Sequence, residues 1–233
     1  ELAGAAQALR ERMIAVTAPT DAIDVCGTGG DGHGTLNIST AVSLVVAACG
    51  VPVAKHGNRA ASSKAGAADT LESLGLDMDR AGAQAEATLA ELGICFLFAA
   101  NHHPAMRRIQ PIRQRLGRRT IFNLMGPLAN PVDALLEARV IGVPRRDLGP
   151  LFAEALRLAG AKKALVICGE EHLDELSCAG RTFCWMLVER PNPAFRGPRE
   201  EGDEEYTTSD DDAPPRTVVE IEHFMLHPGD FGL

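Results

Sequence analysis

Aromatic residues are scarce, at 4% of 233, with one Trp and one Tyr. The core must therefore be built from Ala, Val, Leu and Ile, and small side chains favour close packing of helices on a sheet. No apolar run approaches the ~18 residues of a membrane span. The opening ELAGAAQALRERM lacks the charged-then-apolar order of a secretory leader, so a cytoplasmic chain with no membrane partner is expected. Positive charge is short as well, 23 Lys and Arg against 31 Asp and Glu for a net charge of -8. That balance argues against a nucleic-acid partner, whose phosphates are met by Lys and Arg, and any anionic ligand must be met locally. Six cysteines are scattered without a CxxC pair, so neither a zinc site nor a disulfide frame is indicated, and reduced, buried thiols are expected.

Short apolar runs alternate with helical patterns. Strands are expected at 21–26, 51–55, 94–99, 138–143, 164–169, 185–189 and 217–226. Helices are expected at 39–49, capped by Ser39 or Thr40, and at 62–74, 80–92, 104–116 and 147–159. Wholly apolar strands separated by helices imply an α/β fold with a central, mostly parallel sheet flanked by helices. Residues 2–14 read as an amphipathic helix without a partner, as if the chain began within a domain. Between the last two strands, 190–216 is rich in Pro, Gly and acids and reads as an acidic surface insertion.

The stretch DVCGTGGDGHGTLNIST, 24–40, puts five glycines between a strand and a helix. Gly27, Gly29 and Gly32 satisfy G-x-G-x-x-G, but the dinucleotide reading needs an acid ~20 residues on, and no carboxylate occurs between Gly32 and Ala68. No G-K-[ST] closes the run, which excludes a Walker loop. Asp31 inside the loop would repel a bound phosphate unless a metal ion or a sugar hydroxyl lay between them. After the next strand, KHGNRAASSK (55–64) offers Lys55, Arg59 and Lys64 with amide and hydroxyl donors before another helix. That makes a second anion site, and two such sites on one sheet edge suit a ligand with two phosphate groups.

Two further stretches carry chemistry. EEHLDELS (170–177) follows a strand directly, so Asp174 and Glu175 suit Mg²⁺ bound by one or two carboxylates plus substrate oxygens; acidic residues opening a helix are the alternative. Arg113 lies on a helix with several other arginines and could fork onto a carboxylate, while His102 and His103 begin that helix, where a histidine is more often a cap or packing residue than a base.

In this order, GTGGD, NIST, KHGNRAASS, RTIFNLMGPLANP and DELS resemble the anthranilate phosphoribosyltransferase family of tryptophan biosynthesis. The resemblance runs the length of the chain apart from the acidic insertion. It implies that 5-phosphoribosyl 1-pyrophosphate is held by Gly27, Gly30, Asp31, Thr35, Asn37, Ser39, Thr40, Lys55, Gly57, Asn58, Arg59, Ser62 and Ser63. It implies anthranilate at Gly27, Asn58 and Arg113, beside His56, His103 and Pro127, and Mg²⁺ at Ser39, Asp174 and Glu175. The family joins the anthranilate amine to the anomeric carbon of the ribose and releases pyrophosphate. By the same resemblance, 1–19 is the remnant of an N-terminal helical domain that makes the family's homodimer contact, 20–233 is the phosphoribosyl-binding domain, and the final segments are missing. Ala100 and His102 depart from the family, which has proline and an aromatic residue there. The competing readings are a pyrimidine nucleoside phosphorylase-like enzyme and a non-catalytic nucleic-acid-binding relative.

Overall fold

The computed structural model describes residues 1–60, 65–118, 120–132, 136–194 and 215–232. Its centre is a seven-stranded sheet of β1 (Ile23–Gly27), β2 (Val53–Gly57), β3 (Ile94–Phe98), β4 (Ala138–Gly142), β5 (Ala164–Gly169), β6 (Thr182–Pro191) and β7 (Thr217–Leu226), ordered β3-β2-β1-β4-β5-β6-β7. The first five strands are mutually parallel, and β6 and β7 return antiparallel. Thr182 pairs with Gly169 and Leu187 with Ala164. Pro191 and Thr217, which pair with each other, therefore lie at the edge opposite the C-terminal ends of the parallel strands.

Eight α-helices complete the described chain: α1 (Leu2–Arg10), α2 (Ile38–Ala48), α3 (Ala67–Ser73), α4 (Met78–Ala83), α5 (Ala85–Leu92), α6 (Ala99–His102), α7 (Pro104–Leu116) and α8 (Leu148–Leu158). Strand alternation sorts the sheet into two faces. On one, Ala54, Cys95, Leu97, Ile141 and Val166 join α1, α5 and α8 in two buried clusters that include Phe152, Leu156 and Trp185. Gly149 lets α8 approach the sheet, since a Cβ there would collide with the Trp185 ring. The other face carries Lys55, Phe96 and Phe98, with Ala68 of α3 and Met78 of α4 packed on the two aromatic rings.

Several expectations need correction. The N-terminal helix ends at Arg10 and is not without a partner, because Leu2, Ala6 and Leu9 are buried in the main core. α2 starts at Ile38 with Asn37 at its boundary and no side-chain cap; the Asn37 amide instead donates to the Thr70 hydroxyl of α3. The helix expected over 80–92 is two, because Asp77 caps an earlier start by accepting from the amides of Asp79 and Arg80. Of the cysteines, Cys95, Cys168 and Cys184 are buried, whereas Cys49 and Cys178 are exposed. Of the acidic insertion expected over 190–216, Arg190 and Pro191 belong instead to β6, and 195–214 fall outside the described residues.

Candidate active site

β1 and β4 are neighbours in the sheet, yet the chain proceeds from β1 toward β3 on one side and from β4 toward β7 on the other. Crevices for ligands form at the carboxyl ends of strands where the order reverses in this way. Here four of the five parallel strands end on glycine: Gly27, Gly57, Gly142 and Gly169. Gly27 pairs with Gly142, and Asp174, in the loop after β5, fills the space above both. A Cβ on Gly27 would strike the Asp174 carboxylate, and one on Gly142 its backbone carbonyl. Gly29 then donates its amide to Asp174 Oδ2 at 2.7 Å. The loop continues with positive φ at Gly29, Gly30, Gly32 and Gly34, a course that side chains other than glycine's resist.

An acidic cluster faces this loop. The charge of Asp31 bears on Asp174, and Asp31 Oδ2 is buried without a donor among the described residues. Burial, with the charge of Asp31 added, raises the Asp174 carboxyl above its ordinary range. Burial and the charges of Asp174 and Asp31 push Glu175 up to about 7, against the pull of Lys55. The EEHLDELS segment is a turn and not a helix start, since no helix follows β5 before β6. Among the described residues, no three His, Cys, Asp or Glu side chains converge on one ion. A buried and a half-buried carboxylate that disfavour each other's charge, the first beside a donorless oxygen, nevertheless fit a hard cation that takes one or two protein carboxylates and completes its shell with other oxygens.

Lys55 is 3% exposed. Its Nζ donates to the Val25 carbonyl at 2.8 Å and to Ser39 Oγ at 3.2 Å. Burial lowers its pKa, opposed by Asp24, Cys26 and Glu175. Ser39, Lys55 and Glu175 are thus one electrostatic group. The hub behind them was not anticipated. Asp24, 1% exposed, accepts from the His56 amide at 3.2 Å and from Asn130 Nδ2 at 2.9 Å. Asn130 also donates to the Ala54 carbonyl and accepts from the Val132 amide. Burial raises the Asp24 carboxyl and lowers the nearby Arg139 guanidinium. A lone Asp or Arg inside an apolar strand run is the signal that could have exposed this hub.

The imidazoles of His56 and His103 meet edge to face at 5.2 Å. His56 Nδ1 lies 3.0 Å from the Gly126 carbonyl, next to buried Pro127. Burial drives the His56 imidazolium well down and holds that of His103 down to about 4. The ring of His102 and its carbonyl both hold Ile14, so His102 ties down the segment after α1.

Other expected residues are less gathered. Arg113 is half-buried on α7, and no hydrogen bond or ion pair joins it to the histidines among the described residues. Asn58 is exposed and caps the Arg59 amide. Arg59 forks onto Glu72 and also meets Asp69; Asp69 in turn receives the amides of Ala60 and Gly66 at 2.8 Å each. Gly30 and Thr35 are exposed, while Thr40 is buried with an unpartnered hydroxyl. Ser62 and Ser63 lie outside the described residues.

A mostly parallel sheet with a glycine loop, an acidic turn and a buried lysine at its switch point defines an α/β domain with a ligand crevice at the carboxyl ends of its strands. A family described as glycosyl transferase family, a/b domain, matches residues 19–192, and the chain belongs to that family. The anthranilate phosphoribosyltransferase of Novosphingobium aromaticivorans is 69% identical over 180 residues, 77% of this chain and 54% of the relative. Anthranilate phosphoribosyltransferase 2 of Ralstonia nicotianae is 52% identical over 188 residues, 81% of this chain and 54% of the relative. The solved anthranilate phosphoribosyltransferase of Thermus thermophilus is similar at a TM-score of 0.70 and 48% identity, covering 78% of this chain and 54% of that one. The Saccharomyces cerevisiae enzyme in complex with PRPP and Mg is similar at 0.78 and 28%, covering 100% and 56%. The chain spans about half the length of the curated relatives it matches.

Proposed function

We propose that this chain carries the phosphoribosyl-binding part of an anthranilate phosphoribosyltransferase, which joins the amine of anthranilate to the anomeric carbon of 5-phosphoribosyl 1-pyrophosphate and releases pyrophosphate. The observation that carries the reading is the acidic cluster of Asp31, Asp174 and Glu175 against a glycine loop at the sheet's switch point. Such acids beside bare backbone make sense when a cation and a polyphosphate are held together. The relatives' names support the same substrates.

Ser39, Asp174 and Glu175 would hold Mg²⁺, which when bound neutralises charge developing on the departing pyrophosphate. The protein's own part is positional. Amides of the glycine loop, with Gly27, Gly30, Thr35, Asn37 and Thr40, receive phosphate and ribose oxygens, and Asp31 accepts from sugar hydroxyls. Lys55 adds a fixed positive charge, desolvated and therefore strong; Gly57, Asn58, Arg59, Ser62 and Ser63 extend that side. Anthranilate lies at Gly27, Asn58 and Arg113, in a channel walled by neutral His56 and His103 and by Pro127. Holding amine and anomeric carbon near contact turns a two-body encounter into one step, which lowers the barrier without a covalent intermediate. The same reading takes 1–19 as part of a helical domain, the whole protein as a cytoplasmic homodimer, and its partners as these two small molecules, with no nucleic acid or membrane.

Calorimetry with 5-phosphoribosyl 1-pyrophosphate, with and without Mg²⁺, tests it on this chain and on Lys55→Ala and Asp174→Asn. Binding that needs the metal and that both substitutions weaken is the expected result. Equal heats without metal would overturn the assignment of the site.

A further inference from the structure

The glycine loop and the acidic turn come from strands separated by β4, yet they are fastened to each other at two points. One is the Gly29 amide on Asp174. The other is a side chain: His33 Nε2 donates to the Glu171 carbonyl at 2.7 Å. The same histidine's amide lies 3.3 Å from Asp31 Oδ1, so one residue braces Asp31 from within the loop and reaches across to the opposing turn. A Cβ placed on Gly32 or Gly34, on either side of His33, would meet open space.

The receiving turn is itself held in an unusual state. His172, directly after the carbonyl that His33 engages, has φ of 65°, alone among the described non-glycine residues in being left-handed. A strained residue persists only where its surroundings over-determine it. Those surroundings are visible on the other side of the turn: Ser177 Oγ donates to Glu171 Oε1 at 2.8 Å and receives the amides of Ala179 and Gly180, and Gly169 donates its amide to the Leu173 carbonyl.

We propose that His33 is a positioning residue, a latch from the glycine loop to the acidic turn that sets the spacing between the loop amides and the Asp174–Glu175 carboxylates. It rests on the phosphoribosyl pyrophosphate reading of that site. A flexible loop with four left-handed glycines loses much freedom on meeting a ligand, and a tie made beforehand removes part of that loss. The latch acts through Gly29 and Asp31 and touches neither reacting atom.

The test uses the whole 233-residue chain as wild type, His33→Ala and His33→Gln, the last keeping a donor near the position of Nε2. Amide exchange at Gly29, followed by NMR without ligand, reads the latch itself. His33→Ala is expected to speed that exchange roughly three- to tenfold and His33→Gln to restore it, as for the loss and return of one hydrogen bond. Calorimetry with 5-phosphoribosyl 1-pyrophosphate and Mg²⁺ is expected to show a matching loss of affinity and the same rescue, with the unfolding midpoint of all three chains unchanged. Unchanged Gly29 exchange in His33→Ala overturns the latch. Wild-type heat with unaltered affinity in His33→Ala overturns the positioning role alone, whereas no heat from the wild type overturns the functional reading and the role together.

Discussion

Gly27 and Gly142 lie opposite each other in register at the ends of β1 and β4, and neither can carry a side chain without striking Asp174. The first is part of the glycine-rich motif. The second ends an ordinary apolar strand, and only the fold reveals that it makes room for the same carboxylate.

Substituting Gly142→Ala should therefore destabilise the chain by about 1–3 kcal/mol, the usual cost of overpacking, and displace Asp174 from the Gly29 amide. Gly4→Ala, where a Cβ meets nothing within 4 Å in the exposed part of α1, should be neutral or slightly stabilising. Urea denaturation of both variants, with Mg²⁺ titration of the first, checks this; a Gly142→Ala chain as stable and metal-responsive as wild type contradicts it.

Acid should weaken the fold through His103. Burial holds its imidazolium down to about 4 against an ordinary 6.5, so the unfolded chain takes up the proton first. Its contribution is complete above about 6.5 and is lost as pH falls toward 4, by up to about 3 kcal/mol. Glu175, raised to about 7 from 4.5, works in the reverse sense, its contribution being lost as pH rises through that range. The histidine is thus read as a difference: urea midpoints at pH 7.5 and 4.5 should separate far less between the two pH values in His103→Leu than in wild type.

Removing the amide of Asn130 should cost about 2–4 kcal/mol in Asn130→Ala, because Asp24 and the Ala54 carbonyl each lose a buried donor. Asn130→Asp should cost more, since it sets a second carboxylate against Asp24 in a site that is 0% exposed. Denaturation midpoints rank the two.

Val45 of α2 and Leu92 of α5 are 63% and 64% exposed. Val45→Lys and Leu92→Lys should change stability by no more than about 0.5 kcal/mol while reducing dye binding and concentration-dependent association. Light scattering over a dilution series measures it.

Much of this architecture was legible. β5, β7 and α7 fall where the pattern put them, because each is a long periodic or apolar run bounded by Gly, Pro or Asn. β6 proved longer than expected at both ends, since its pairing with β7 continues through Thr182 and Pro191 where the apolar pattern fades. α6 is only four residues long, too short to leave a period. The glycine loop and the Asp174–Glu175 pair could be found because their residue types have few other reasons to stand together. Asn130 and Gly142 could not, and Asp24 and Arg139 showed only as charges inside apolar runs, because each acts through partners 30 to 120 residues away that only the sheet brings near.

The hairpin of β6 and β7 opens at Pro191 and Thr217, on the side of the sheet away from the glycine-terminated strand ends. The glycine-terminated strand ends and the point where this connection leaves the sheet therefore occupy opposite poles of the domain. Residues can be added to or removed from that connection without re-aiming any group around Asp174, which makes it the natural place to graft a reporter or a second domain.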